Sequence, residues 1–498
     1  MKVNRICILG LLCLFLVGSG DAFAQKKDKK TSDKGSEIKF VLKGLPDTML
    51  YIATYYEDKN FMYDTLYVSK KEPYTFIMKK DTLIPRGIYL MAGENRVKYM
   101  DFVIDTVFSF TAVAENINPQ AIDIALNLRY LNSPENTIMQ TFFATMSRLQ
   151  RNLYEVANKI KEEESSENPN TSLLEQQKEN RKQYQDSMRT FMTDYVDLHR
   201  NSLFGRAQLL MRDVQIPEPP RNPDGSLVDS NFGYHYYLNH YWDNTDFSEP
   251  ALLGTPVWYS KIETYFNDVV PPLVDSINKY SDILIKKAEN NPELFKYIVW
   301  YITNKYERSQ YVAHDAVFVH MVQNYYAKGR CTWTDEAVLE RMINQAEKLS
   351  HILIGTKAPE LSMYDTNGIF RSNYESNRKY TIMWFWDLNC GHCKSATPKL
   401  VEFYNRMHDS LDFEIFAICM TKDSTDLPKW KARIVEKEMP WINVGGNTAT
   451  VDYRVAFDVT TTPVIFVLDR EKKIIVKKIG VDQLEDFMRN YDSGIIKY

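Results

Sequence analysis

The chain is predicted to be multidomain, with a small antiparallel β domain, then an α-helical domain, then a carboxy-terminal α/β fold. Two observations predict this. At 498 residues it exceeds what a single hydrophobic core organises. The period of its apolar residues also changes twice along the chain, from two, to three and four, to an alternation of strand and helix patterns. A hydrophobic content of 44% and a charged content of 25% are those of globular material. The formal net charge of −4 gives no electrostatic reason to expect nucleic-acid binding, and that class is set aside.

Residues 1–24 read as a secretory signal peptide. Lys2 and Arg5 precede an apolar run from Ile6 to Val17, and Ala22-Phe23-Ala24 supplies the small residues a signal peptidase reads. The run is shorter than the roughly 20 apolar residues a membrane span needs. Neither Cys7 nor Cys13 has the small residues expected before a lipid-modified cysteine. The mature chain is therefore expected in the periplasm or cell envelope, with no membrane span after signal removal. Residues 25–36 form a Lys/Asp/Ser/Gly leader with almost no apolar content.

Residues 37–118 hold short runs such as IKFVLKG, MLYIATYY, YTFIMKK, GIYLMAG and FSFTAVA, separated by Gly, Pro, Asp or Lys. Their Tyr, Phe, Ile, Val and Thr content predicts the small antiparallel β domain. Over residues 119–350, segments such as TIMQTFFATMSRLQRNLYEVANKI place apolar residues at helical spacing. An exposed break is expected over residues 161–172, and a Pro-rich loop over residues 214–227. Further helices are expected over residues 258–287, 292–328 and 335–350. Residues 351–498 alternate strand and helix: KYTIMWFW, then GHCKSATPKLVEFYNRM, FEIFAICM, LPKWKARIVEKE, PVIFVLD, KIIVKKIG and DQLEDFMRNY. The nearly continuous apolar strands are those of a buried sheet.

The chemistry gathers at WFWDLNCGHCKSATP, residues 384–398. Cys390 falls where a strand ends and a helix begins, and a helix amino terminus favours a thiolate. Cys393 lies one turn on, placed to attack a mixed disulfide at Cys390. Gly391 and His392 separate the two, and a protonated His392 imidazole would add to thiolate stability. A zinc site would need a second ligand pair. His235/His240 and His314/His320 are spaced five and six apart, which turns each pair to different helix faces, so no metal is expected. A structural disulfide closing so small a loop would stabilise little. Four cysteines beyond the signal segment are too few for a disulfide framework. Cys419, ending a central strand, reads as a small buried hydrophobe, and Cys331 has no visible partner.

TKAPEL (356–361), the FW preceding the motif, CGHC itself, Pro398 and Thr462-Pro463 before VIFVLD together resemble the exported TlpA/ResA-like thiol–disulfide oxidoreductases of thioredoxin fold. The arrangement of a β domain, a helical domain and this fold is similar to envelope proteins of that type. The resemblance implies a cis peptide before Pro463, facing the cysteines, and a substrate-binding surface shaped by Thr462 and Pro463. Trp386 joins Gly391 and His392 among the residues expected to tune the pair or dock substrate. It implies protein thiol or disulfide substrates, a membrane electron-donor protein as a candidate partner, and no cofactor beyond a Cys390–Cys393 disulfide.

Two departures stand out. Trp384 occupies the place of the buried Asp of thioredoxins, and Ala396 the place of the Glu of ResA-like proteins. Asp387 is the nearby acid that could replace them. The Gly-His dipeptide is that of protein disulfide isomerases and argues for a less reducing couple. The leading expectation is an exported thiol–disulfide oxidoreductase, reductase or isomerase in direction. The alternatives are a binding or scaffold protein that uses the domain for contacts, and a thiol peroxidase. The latter is disfavoured because Trp386 and Asp387 stand where a peroxidase motif needs other residues.

Overall fold

The computed structural model describes residues 35–117, 127–421, 425–446 and 449–496. The expected signal segment and residues 25–34 of the leader lie outside the described residues. The chain divides into two compact units between Val270 and Pro271.

Among the described residues the first unit opens with eight strands: β1 (Ser36–Leu42), β2 (Met49–Tyr56), β3 (Lys59–Tyr67), β4 (Thr75–Lys80), β5 (Gly87–Ala92), β6 (Lys98–Ile104), β7 (Phe110–Ala114) and β8 (Leu128–Leu131). They form two four-stranded sheets, in the orders β4-β1-β7-β8 and β3-β2-β5-β6. Every ladder is antiparallel except β1 with β7. The inward residues of both sheets, including Ile38, Phe40, Leu50, Ile52, Met91 and Phe102, make one core. This is the period-two pattern of the sequence turned into burial. Two long helices follow, α1 (Pro134–Glu164) and α2 (Thr171–Leu198), separated by residues 165–170. Asn170 restarts the chain by accepting the Leu173 N–H at 3.1 Å. Shorter helices complete the unit: α3 (Leu203–Leu210), α4 (Phe232–His240) and α5 (Trp258–Thr264).

The second unit begins with α6 (Val274–Lys287), α7 (Pro292–Glu307), α8 (Asp315–Met321) and α9 (Glu336–Ser350). A small hairpin, β9 (Ser362–Tyr364) with β10 (Phe370–Ser372), leads into the α/β fold. There β11 (Tyr380–Trp386), α10 (Gly391–Met407), β12 (Phe413–Cys419), α11 (Asp426–Glu436), β13 (Ile442–Gly445), α12 (Tyr453–Ala456), β14 (Val464–Leu468), β15 (Ile474–Lys477) and α13 (Leu484–Asp492) follow in order. The sheet order is β13-β12-β11-β14-β15, with β11, β12 and β13 parallel and β14 and β15 antiparallel. All seven residues of β11 are buried, as its run of apolar side chains requires for a strand covered on both faces. Burying each of its large side chains contributes about 1.5–3 kcal/mol. The carboxyl end of this central strand is where the two cysteines are delivered. Among the described residues no helix is long and apolar enough to cross a membrane.

Candidate active site

Four residues link β11 to α10, and Cys390 is the amino-terminal cap of that helix, at φ −73° and ψ 117°. A cap residue in extended geometry turns its side chain back over the first helical N–H groups. The Cys393 N–H donates to Cys390 Sγ at 3.1 Å. The bond that starts the helix is thus also a bond that stabilises a thiolate. On its other side, Cys390 Sγ–H donates to the Thr462 carbonyl at 3.2 Å. The Thr462–Pro463 peptide is cis, and the bond to the Thr462 carbonyl sets the loop before β14 against the cysteine.

The two sulfurs have opposite surroundings. Cys390 is half-buried and Cys393 is 1% exposed. Burial opposes ionisation of Cys390, but the thiol of Cys393, the Thr462 side chain and the N–H groups of Cys393 and His392 together hold its thiol below the ordinary value. Burial first, and then the hydrogen bond to Cys390, pushes the Cys393 thiol up to about 12. The Asp387 N–H and the Thr462 side chain pull the other way without offsetting this. Neither cysteine is paired in a disulfide in this structure. A partly exposed sulfur biased toward thiolate, beside a buried one kept protonated, is the arrangement required for attack by one and later resolution by the other.

The remaining sequence-predicted residues fall as follows. Gly391 is exposed, and a Cβ there would meet nothing within 4 Å. His392 is exposed, and its contribution to Cys390 comes through its backbone N–H. Trp386 is 2% exposed, which leaves it no surface for docking a substrate. Its ring stacks on Trp384 at 5.5 Å and 11°, so its contribution is to the packing beneath the motif. Trp384 is fully buried, and among the described residues none accepts its Nε1–H. Asp387 shapes the approach to Cys390: its carboxylate accepts the Asn389 N–H at 2.7 Å and its carbonyl the Cys390 N–H at 3.3 Å.

Cys419 is the small buried residue expected at the end of a central strand, but its place beside the pair, and that of Asp426, went unread. Cys419 pairs with Trp386 across the β11–β12 ladder and shares the core that holds Cys393. Burial pushes its thiol well above the ordinary range, and Asp387, Asp426 and Cys393 add to that. Asp426, at the start of α11, is itself buried. The position of Cys419 at a strand end was legible, but its level with Trp386 depends on the β11–β12 pairing. No group of three or more His, Cys, Asp or Glu suited to a metal occurs among the described residues.

Residues 377–474 match the family described as thioredoxin-like, Thioredoxin_8. No curated protein matches the chain. Similar solved structures include a domain of a possible thiol-disulfide isomerase from Cytophaga hutchinsonii, at 36% identity, covering 29% of this chain and 95% of that one, with a TM-score of 0.27. A thioredoxin-like protein from Bacteroides caccae is 18% identical over 55% of this chain and 99% of its own, with a TM-score of 0.41. The thioredoxin domain of a thiol-disulfide oxidoreductase from Bacteroides vulgatus is 26% identical over 28% of this chain and 96% of its own, with a TM-score of 0.25. The family match spans the sheet core from just before β11 to the start of β15, with both cysteines inside it, and the carboxy-terminal α/β fold of this chain is a thioredoxin-like domain.

Proposed function

We propose that this chain is an exported thiol–disulfide oxidoreductase of the TlpA/ResA-like kind, acting on protein substrates in the cell envelope. The observation that carries the reading is the opposed state of two neighbouring sulfurs, Cys390 held toward thiolate at a helix start and Cys393 buried and protonated. In the reducing direction the Cys390 thiolate attacks one sulfur of a substrate disulfide. A Cys390–substrate disulfide forms and the other substrate sulfur leaves as a thiolate. Cys393 then gives up its proton and attacks Cys390 Sγ, the intramolecular disulfide forms, and the second substrate sulfur departs. The substrate gains two electrons and two protons, and the enzyme pair loses them.

Run backwards, the same steps oxidise a substrate, and a trapped mixed disulfide that reverses on a different sulfur isomerises one. No cofactor is needed, because the pair carries the electrons. A membrane electron-donor protein is the natural source for turnover in the reducing direction. Thr462 and Pro463 border the sulfur that attacks and form the edge along which a substrate strand lies. The charge and length of residues 1–24 support export.

The test is insulin disulfide reduction by the wild type, Cys390→Ser and Cys393→Ser, with the reduction potential of the pair measured alongside. Cys390→Ser is expected to be inactive, while Cys393→Ser accumulates a mixed disulfide visible by mass. Activity surviving in Cys390→Ser overturns the reading. A potential near that of cytosolic thioredoxin, about −270 mV, assigns a reductase, and one nearer about −180 mV assigns an isomerase.

A further inference from the structure

The turn joining β14 to β15, Asp469-Arg470-Glu471-Lys472, is closed by the Lys472 N–H donating to the Asp469 carbonyl at 3.0 Å. Lys472 sits there at φ 67°, a left-handed conformation that is strained for a non-glycine residue. Its side chain folds inward: the residue is 5% exposed, and Nζ donates to the Ser376 carbonyl and to Thr381 Oγ1, both at 2.8 Å. Both acceptors are neutral. The carboxylate of neighbouring Asp469 is engaged with the Lys473 N–H at 2.8 Å. A buried ammonium is therefore held without a carboxylate in contact, an arrangement that costs stability unless an anion joins it.

Two further cations line the same cleft. The Ala358 N–H donates to the Lys472 carbonyl at 2.9 Å, and a bridge pairs Lys357 with Lys473, which brings Lys357 alongside. Lys357 Nζ lies over the Tyr374 ring at 4.8 Å. Arg470 is 70% exposed, and its nearest acid is Asp412 at 3.6 Å. Together with Tyr374, Ser376 and Glu471 these residues line a cleft of about 560 Å³. Glu471, the one acid of the lining, pairs with Lys473 at 3.0 Å. The lining thus carries a net charge of +2, on a chain whose net charge is −4.

We propose that this cleft binds an oxyanion carried by a small molecule, and that phosphate is the chemistry it fits. The exposed Arg470 guanidinium and Lys357 ammonium supply charge-assisted donors, the buried Lys472 ammonium adds positive potential beneath them, and the +2 lining matches a dianion. The Tyr374 ring gives a flat wall for whatever the phosphate is attached to.

The probe is inorganic phosphate, added to the full chain at ionic strength held constant with chloride. Thermal unfolding of the wild type is expected to rise saturably with phosphate, as a ligand of the native state requires. In the double variant Lys357→Ala/Arg470→Ala the dissociation constant is expected to rise about tenfold or more, since two charge-assisted contacts are lost. Both side chains are exposed, so the variant keeps the fold. A response to phosphate no larger than to chloride, an equal response in the double variant, or a larger response to succinate than to phosphate overturns the proposal.

Discussion

Cys390 and Cys393 occupy one turn of one helix, yet a single turn separates a thiol below its ordinary value from one pushed up to about 12. Reactivity toward an alkylating reagent follows the thiolate fraction. Iodoacetamide at neutral pH should therefore modify Cys390 in the reduced native protein, and leave Cys393, Cys419 and Cys331 unmodified until the chain unfolds. Burial also holds Cys331 up, at about 12. Mass spectrometry of peptides after a brief pulse reads this directly, and prompt labelling of Cys393 would contradict the asymmetry. Gly391 offers a second check. Because a Cβ there meets nothing within 4 Å, Gly391→Ala should unfold at the wild-type temperature within the small change a surface substitution makes. The CxxC spacing and its place at a strand-to-helix junction were legible in the sequence, since both depend on local pattern. The burial of Trp386 was not, because an aromatic beside a motif reads equally as a lid or as a floor. The nearness of Cys419 was hidden for a related reason: it depends on which strands adjoin in the sheet, a long-range pairing that leaves no local mark.

At the level of elements, apolar period sufficed wherever one face is buried and the other wet. Seven of the strands of the first unit lie on runs read from period two, because their inward residues share one core. The start of β3 was missed: Lys59 to Met62 are exposed or half-exposed on a sheet edge, so no apolar alternation announces them. β8 is four residues long, with one buried side chain. The helix expected over residues 258–287 is interrupted at Pro271-Pro272, which remove two N–H donors.

What no pattern reveals is how elements are joined by charge. At the first turn of α1, Glu135 lies near Asp105, beyond the end of β6, and near the N–H groups of Leu203 and Phe204 at the start of α3, which draw its carboxyl down. Arg86 reaches both Asp105 and Glu249, and Arg206 reaches Glu249 and Asp246. Glu135 Oε2 is buried with no donor among the described residues. Two carboxyl groups close together and partly withdrawn from water favour a state in which one of them holds a proton. Burial first, and then Asp105, raises the Glu135 carboxyl to about 7. The native state thus keeps a proton that the unfolded chain releases near its ordinary carboxyl pKa. The first unit should lose stability as pH rises from about 4.5 to 7, and level off above that. Glu135 is partly solvated, so the loss is on the order of 1 kcal/mol. Glu135→Gln should flatten that slope and unfold at higher denaturant than the wild type at pH 8. An unchanged slope in urea titrations across this range would remove the shared proton.

At the largest scale, the second unit gathers the helices from α6 to α9 with the thioredoxin-like domain. One ion pair shows how the two are tied. Lys477, at the end of edge strand β15, is 1% exposed, and its Nζ bonds both Asp315 at the start of α8 and the Ile352 carbonyl at 2.7 Å. Burial lowers the Lys477 ammonium's pKa and raises that of the Asp315 carboxyl, in each case against the pull of its partner. Desolvation therefore outweighs attraction on both sides, and the pair is weak as a source of stability but costly to break. Asp315→Asn strands a buried ammonium and should destabilise the unit by about 3–5 kcal/mol. Asp315→Leu with Lys477→Met removes both charges and should recover most of that loss. If the helices and the domain unfold as one body, the single variant shifts one denaturant transition that both tryptophan fluorescence and the accessibility of Cys393 follow. If they unfold separately, the Cys393 transition stays at its wild-type midpoint while the helical signal moves. The first outcome is expected, because the pair joins a helix to a strand that hydrogen-bonds directly to β14, which itself pairs with the strand leading to Cys390.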